Sequence, residues 1–149
     1  MKLKFKGLFK VGYYSTIFML ILIPVQVIVY IAYPPPETVL GFYELYQEST
    51  ILGLLSLDFI YLISNMMLLP IYVAIAYLVW EKKPTLAIFA ILFGVISLAT
   101  YYPSNPAMDM LLLSKKYFSA LPSDFNSYIV AGEVLIARYR GTAYLTYYW

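Results

Sequence analysis

Charged positions divide this chain into apolar runs, and the longest is residues 51–80, thirty residues whose one formal charge is Asp58. A stretch of about 18 or more residues with few or no charges reads as a bilayer-spanning helix. At 1.5 Å of rise per residue this one would be roughly 45 Å long, against about 30 Å of hydrocarbon, so it has apolar length to spare. A second run, residues 11–33, follows Lys2, Lys4, Lys6 and Lys10 and stops at Pro34-Pro35-Pro36, because proline has no N–H to continue a helix. A third covers residues 85–102, between the tight loop Glu81-Lys82-Lys83-Pro84 and the group Tyr101-Tyr102-Pro103. The basic start also has the form of a secretory signal. Its apolar part is longer than a typical signal core and no A-x-A-like site follows it, so a retained span is expected.

The remainder is more polar. Residues 37–50 read as an acidic, aromatic loop carrying Glu37, Glu44 and Glu48. In residues 106–121, Met110, Leu113, Tyr117 and Leu121 recur at helical spacing, with Asp109, Lys115, Lys116 and Ser119 elsewhere on the wheel. That predicts an amphipathic helix lying on the membrane or on the bundle. Pro122-Ser123-Asp124 breaks it and offers a cap for a second helix over residues 125–140, stopped by Gly141. Glu133, Arg138 and Arg140 argue against that helix spanning. Residues 142–149 are apolar and aromatic but too few to cross, and read as an interfacial tail or the opening of an incomplete fourth span. The expected fold is thus one all-α membrane domain over residues 1–149: three transmembrane helices, with two shorter amphipathic helices in an outer segment, 103–149.

Tyr and Trp favour the headgroup level, so Tyr13-Tyr14, Tyr33, Trp80 and Tyr101-Tyr102 read as belt residues. The short-loop lysines fall at the N-terminus and at Lys82-Lys83. The positive-inside bias then puts both in the cytoplasm and everything after residue 102 outside a cell membrane crossed several times.

Composition supports this class: 62% of residues are hydrophobic and only 12% charged, about half the charge of a soluble domain. A net charge of +2, with no basic patch interleaved with aromatics, leaves nucleic acid without a footprint. The chain has neither Cys nor His, which removes disulfides, thiolate nucleophiles, imidazole relays and Cys/His metal or haem ligation.

Several segments carry a family likeness. One block holds Leu54-Leu55-Ser56-Leu57-Asp58, Ile63-Ser64-Asn65, Leu69-Pro70-Ile71-Tyr72, and Tyr101 with Ser104-Asn105-Pro106-Ala107-Met108-Asp109-Met110-Leu111. Another holds Ala131-Gly132-Glu133 and Ile136-Ala137-Arg138-Tyr139-Arg140-Gly141-Thr142-Ala143. Together they resemble the domain of unknown function 4386 grouping, uncharacterised prokaryotic polytopic membrane proteins, over roughly the last two-thirds of the chain. The resemblance implies an integral membrane protein and transfers no activity and no functional residue. Members of that grouping continue through further spans after the Gly-Thr-Ala segment, so a truncated or reduced version is expected here.

Counted from Trp80 at the inner boundary, Asp58 lies 22 residues away, roughly 33 Å, which reaches the outer boundary. Asn65 falls roughly 10 Å below that surface, Gln26 at a similar depth and Ser97 somewhat shallower. Asp58, Tyr61, Asn65 and Tyr72 share one face by their spacings. These residues read in two ways. Asp58, Asn65, Gln26, Ser97 and Tyr61 form an outward-facing polar pocket for a cation, proton or polar solute. Alternatively, Gln26, Asn65 and Ser97 are interhelical hydrogen-bond ties, with Asp58 an interfacial carboxylate capping a helix or paired with Lys115, Lys116, Arg138 or Arg140.

Catalytic constellations are weaker. An intramembrane aspartyl protease needs two facing carboxylates, and Asp109 lies outside the bilayer. Ser114 and Lys115 are sequence neighbours, which do not face each other on a helix. Glu44, Glu48, Asp58 and Asp109 match no calcium-loop spacing, and Met66-Met67 reads as adaptable packing. No catalytic, cofactor or metal residue is assigned. The leading expectation is a non-catalytic integral membrane protein that assembles with itself or other membrane subunits in lipid. The alternative is a small transporter or channel module using the Asp58–Asn65 face.

Overall fold

The apolar runs fold into helices, and residues 5–143, which this computed structural model describes, contain no strand. Three helical stretches are long and apolar enough to cross a membrane: Lys6–Ala32, Phe59–Trp80 and one opening at Pro84. The first is α1 (Lys6–Ala32), whose end at Tyr33 precedes the prolines, with Pro24 accommodated inside it. The third stretch opens with α6 (Pro84–Ser104), which starts on a proline. A proline there sacrifices no helical hydrogen bond.

The long central run is not one helix. It divides into α3 (Thr50–Ser56), α4 (Phe59–Met66) and α5 (Leu68–Trp80), with α2 (Val39–Glu48) before them. The break at Met67 has a local cause, because Pro70 has no N–H for the Met66 carbonyl. The chain tightens there into a Met67 N–H bond to the Ser64 carbonyl, 3.0 Å. The break at Leu57-Asp58 is sharper, and Asp58 is the one described non-glycine residue with positive φ, 59°. The spare apolar length therefore does not prolong the span. It turns away as α3, and the apolar stretch begins at Phe59.

α5 packs between α1 and α6. Its interfaces bury small residues, Gly12 and Ser15 on α1, Ala74 and Ala76 on α5 and Ala87 on α6. Small side chains let helix backbones approach closely, as van der Waals packing in an apolar medium requires. Gly94 seats the Tyr72 ring, and a Cβ there would lie 2.6 Å from it.

α2, α3, α7 (Ala107–Ser119) and α8 (Phe125–Arg138) form a cap at the end of the bundle where α1 and α6 finish. Residues 37–50 are therefore not a loop. The Thr38 hydroxyl caps α2 by accepting the Gly41 N–H at 3.1 Å, and Ser49 caps α3 through Leu52 at 3.3 Å. The aromatic positions of that segment supply the cap's core: Phe42, Tyr43 and Tyr46 with Val39, Leu57, Ala107, Met110 and Ile136. Polar bonds fix its register. Tyr43 donates to the Tyr128 carbonyl at 2.7 Å, Tyr46 to the Ala107 carbonyl at 2.8 Å, and Ser114 to the Tyr43 carbonyl at 2.9 Å.

Other terminal details differ from the sequence expectation. Leu121 lies beyond the end of α7 and is exposed, because Ala120 turns to extended backbone first. Asp124 makes no cap bond to α8 and instead accepts the Ser123 hydroxyl at 3.1 Å. Gly141 does not stop the chain's helical course, which widens into a π-helical turn, Tyr139–Ala143. The tail or fourth-span reading of residues 142–149 falls, beyond Ala143, outside the described residues.

The cap makes alkaline pH a test of its packing. Burial, reinforced by Tyr117 beside it, pushes the Tyr43 phenol up to about 12, and burial raises Tyr46 as well. An unfolded phenol ionises near pH ~10, so the folded cap favours the neutral form. Its contribution is intact below about pH 10 and is lost as pH rises from there through about 12. Tyrosinate absorbance should show a late group of ionisations, with helix loss accompanying it. Loss of the cap below pH ~9 would contradict this packing.

Candidate functional site

A carboxylate in an apolar run must find donors or water. Asp58 finds donors. It sits at the break between α3 and α4, only 3% exposed, in left-handed backbone that Asp adopts more readily than most residues. Its Oδ1 accepts the hydroxyl of Tyr30 from α1, and its Oδ2 accepts the hydroxyl of Tyr139 from the π-helical turn. The two phenol oxygens are 3.4 Å apart. One carboxylate thus joins α1, the central break and the C-terminal turn.

The break frees backbone carbonyls, and side chains from other helices take them. Gln26 Nε2 donates to the Leu55 carbonyl at 3.1 Å. Asn105 Nδ2, just past α6, donates to the Leu57 carbonyl at 2.8 Å, while its Oδ1 accepts the Ala107 N–H at 3.0 Å and so fixes the start of α7. One turn into α4, Tyr102 donates to the Leu62 carbonyl at 2.8 Å. Irregular backbone in apolar surroundings is tolerated where protein satisfies it in this way. Asn105→Leu should cost about 2 kcal/mol, since it leaves the buried Leu57 carbonyl bare and removes the α7 tether. Denaturant unfolding in micelles measures this, and a loss below about 0.5 kcal/mol would contradict the tether.

Of the five polar positions singled out from the sequence, Asp58 and Gln26 meet at this break. Asn65 is buried on α4, one helical turn past Tyr61. Tyr61 lies close enough to Asp58 to feel its charge, and Tyr30 and Tyr139 are phenols that bond the carboxylate directly. Ser97 is half-buried on α6, and among the described residues no hydrogen bond joins it to the other four. The shared face of Asp58, Tyr61, Asn65 and Tyr72 is interrupted, because Asp58 lies outside regular helix and Met67 separates Asn65 from Tyr72.

Tyr30, Tyr139 and Asn105 escaped the sequence reading. Tyr30 carried a usable signal, four residues after Gln26 and therefore on the same face of α1. Tyr139 carried none, since the π-helical turn that aims it has no sequence signature.

Two further features border the site. An open cleft of about 500 Å³ lies in the cap between the start of α2 and α8, lined by Glu37, Thr38, Val39, Glu133, Ile136 and Arg140. Arg140 donates there to the Glu37 carbonyl at 3.3 Å. Among the described residues, no three His, Cys, Asp or Glu side chains gather where a metal ion would need them. No protein-family model matches this chain, and no curated protein or solved structure shows significant similarity to it.

Proposed function

We propose that this chain is a non-catalytic, multi-pass protein of the cell membrane that assembles with itself or with other membrane subunits. α1, the α4–α5 pair and α6 are its spans, the N-terminus and the Lys82 loop are cytoplasmic, and the cap lies outside. On this reading it belongs to the grouping that its sequence blocks resemble. The observation that supports assembly is how little the spans cover one another. Within their most apolar windows only 11%, 22% and 22% of residues are buried. The rest is left to lipid or to other helices. An apolar groove of about 510 Å³, lined by Val11, Tyr14, Phe18, Ile21 and Met67, runs along α1, and Phe89 stacks on Phe93 along α6. Aromatic, grooved surfaces of this kind suit helix packing. Asp58 then acts as a tie that holds the cap on the bundle.

The test is the mass of the purified chain in nanodiscs, with cross-linking in native membranes alongside. Assembly predicts a defined oligomer and cross-links from the α1 groove. A stable monomer with no cross-linked partner in its own membrane would overturn the reading.

A second reading has support of its own. Secondary transporters hold coupling ions at discontinuous helices, and buried carboxylates mark ion and proton paths. A transporter or channel module working at Asp58 and Asn65 predicts cation or proton flux in liposomes that Asp58→Asn abolishes. Flux unchanged by that substitution would remove it.

A further inference from the structure

Among the described side chains, one buried polar atom at the break is bare. Gln26 is completely buried, and its amide nitrogen is committed to the Leu55 carbonyl at 3.1 Å. That bond fixes the amide's orientation, because turning it round would set two carbonyl oxygens against each other. The amide oxygen Oε1 is then buried with no hydrogen-bond partner. Buried acceptors are seldom left so, and what suits this one is a donor or a cation.

Its surroundings favour a cation. Gln26–Leu55 and Tyr30–Asp58 form two rungs between α1 and the broken segment. On α1 the rungs are four residues apart, roughly 6 Å along the axis. The last turn of α3 brings the negative end of its peptide dipoles to the same place. Half-helix ends and unwound carbonyls hold Na⁺ in this manner in membrane proteins with interrupted helices.

We propose that the α3–α4 break is a binding site for one small monovalent cation of the Na⁺ class, with Gln26 Oε1 and carbonyls of the α3 end as its neutral ligands. Asp58 supplies the compensating charge from one rung away. Every proposed ligand is a hard oxygen, which suits an alkali ion and not a soft metal. The site does not depend on transport: a resident ion would also lock the break of an assembly subunit.

The test uses the whole chain in nanodiscs, in choline chloride at constant ionic strength. Radiolabelled Na⁺ binding and thermal unfolding are followed as NaCl, LiCl or KCl replaces choline. The site predicts saturable binding of one Na⁺ per chain and a Tm that rises with occupancy by several degrees. Gln26→Leu should weaken binding at least about tenfold, and Gln26→Glu, which keeps the acceptor and adds charge but gives up the bond to the Leu55 carbonyl, should retain it. Should Gln26→Leu fail to fold, wild-type stoichiometry and the Gln26→Glu affinity decide. No saturable Na⁺ binding by the wild type would overturn the proposal and leave water as the partner of Oε1. Equal binding by Gln26→Leu would overturn it too. Binding without flux upholds the site while counting against the transport reading.

Discussion

Asp58→Ala should be the most damaging single substitution in this chain, costing about 4 kcal/mol. Two separate losses lead to that figure. Hydrogen bonds to a charged partner contribute about 1.5–3 kcal/mol each, and both carboxylate oxygens hold a phenol. Alanine must also adopt the left-handed backbone that Asp58 occupies at φ 59°, which costs about 1 kcal/mol more. The two terms can be separated. Asp58→Gly removes the carboxylate but tolerates the backbone, so it should recover about 1 kcal/mol relative to alanine. Asp58→Asn keeps an acceptor and a residue at ease with positive φ, and should cost only about 1–2 kcal/mol. Reversible unfolding in mixed micelles gives the order: wild type, Asn, Gly, Ala. If alanine were no worse than asparagine, Asp58 would not be the tie described.

Gly53→Ala should rank next, at about 3 kcal/mol, although it adds one methyl group to a helix. A Cβ at Gly53 would lie 2.4 Å from Cδ1 and 2.6 Å from Cγ of Tyr46. Those are ring atoms near the side chain's root, which cannot swing aside as a flexible tip can. Tyr46 is 3% exposed and donates to the Ala107 carbonyl, so displacing it disturbs α7 as well as α2. Overpacking of this kind costs about 1–3 kcal/mol, and the lost bond adds about 1. On helix propensity alone the same substitution would stabilise by about 1 kcal/mol. The sign of the measured change therefore decides between packing and propensity. A more stable Gly53→Ala would show that α3 does not rest on Tyr46.

How far the fold was readable depended on the kind of signal. The spans follow from uninterrupted apolar length, and α7 and α8 from the 3.6-residue spacing of Met110, Leu113 and Tyr117 and from the Pro122 break. α2 was misjudged because its glutamates drew attention from Val39, Phe42, Tyr43 and Tyr46, which repeat at 3, 4 and 7 and line its buried face. The break at Asp58 left no such trace: neither Gly nor Pro marks residues 54–69, and the backbone turns there because Tyr30, Tyr139, Gln26 and Asn105 satisfy it from elsewhere in the chain. A single charge in thirty residues identified the place. It carried no information about partners 28 residues before it and 81 after it.

The proposed topology has three crossings that leave the cap and the Lys82 loop on opposite faces of a membrane. Lys82 and Lys115 are both exposed, and the chain has no native cysteine to confuse the result. Single cysteines at these positions, probed with an impermeant maleimide in intact cells and then after permeabilisation, test the arrangement directly. Labelling of Lys115→Cys in intact cells, with Lys82→Cys reacting only once the membrane is opened, is the predicted result. Both positions reacting from the same face would contradict it.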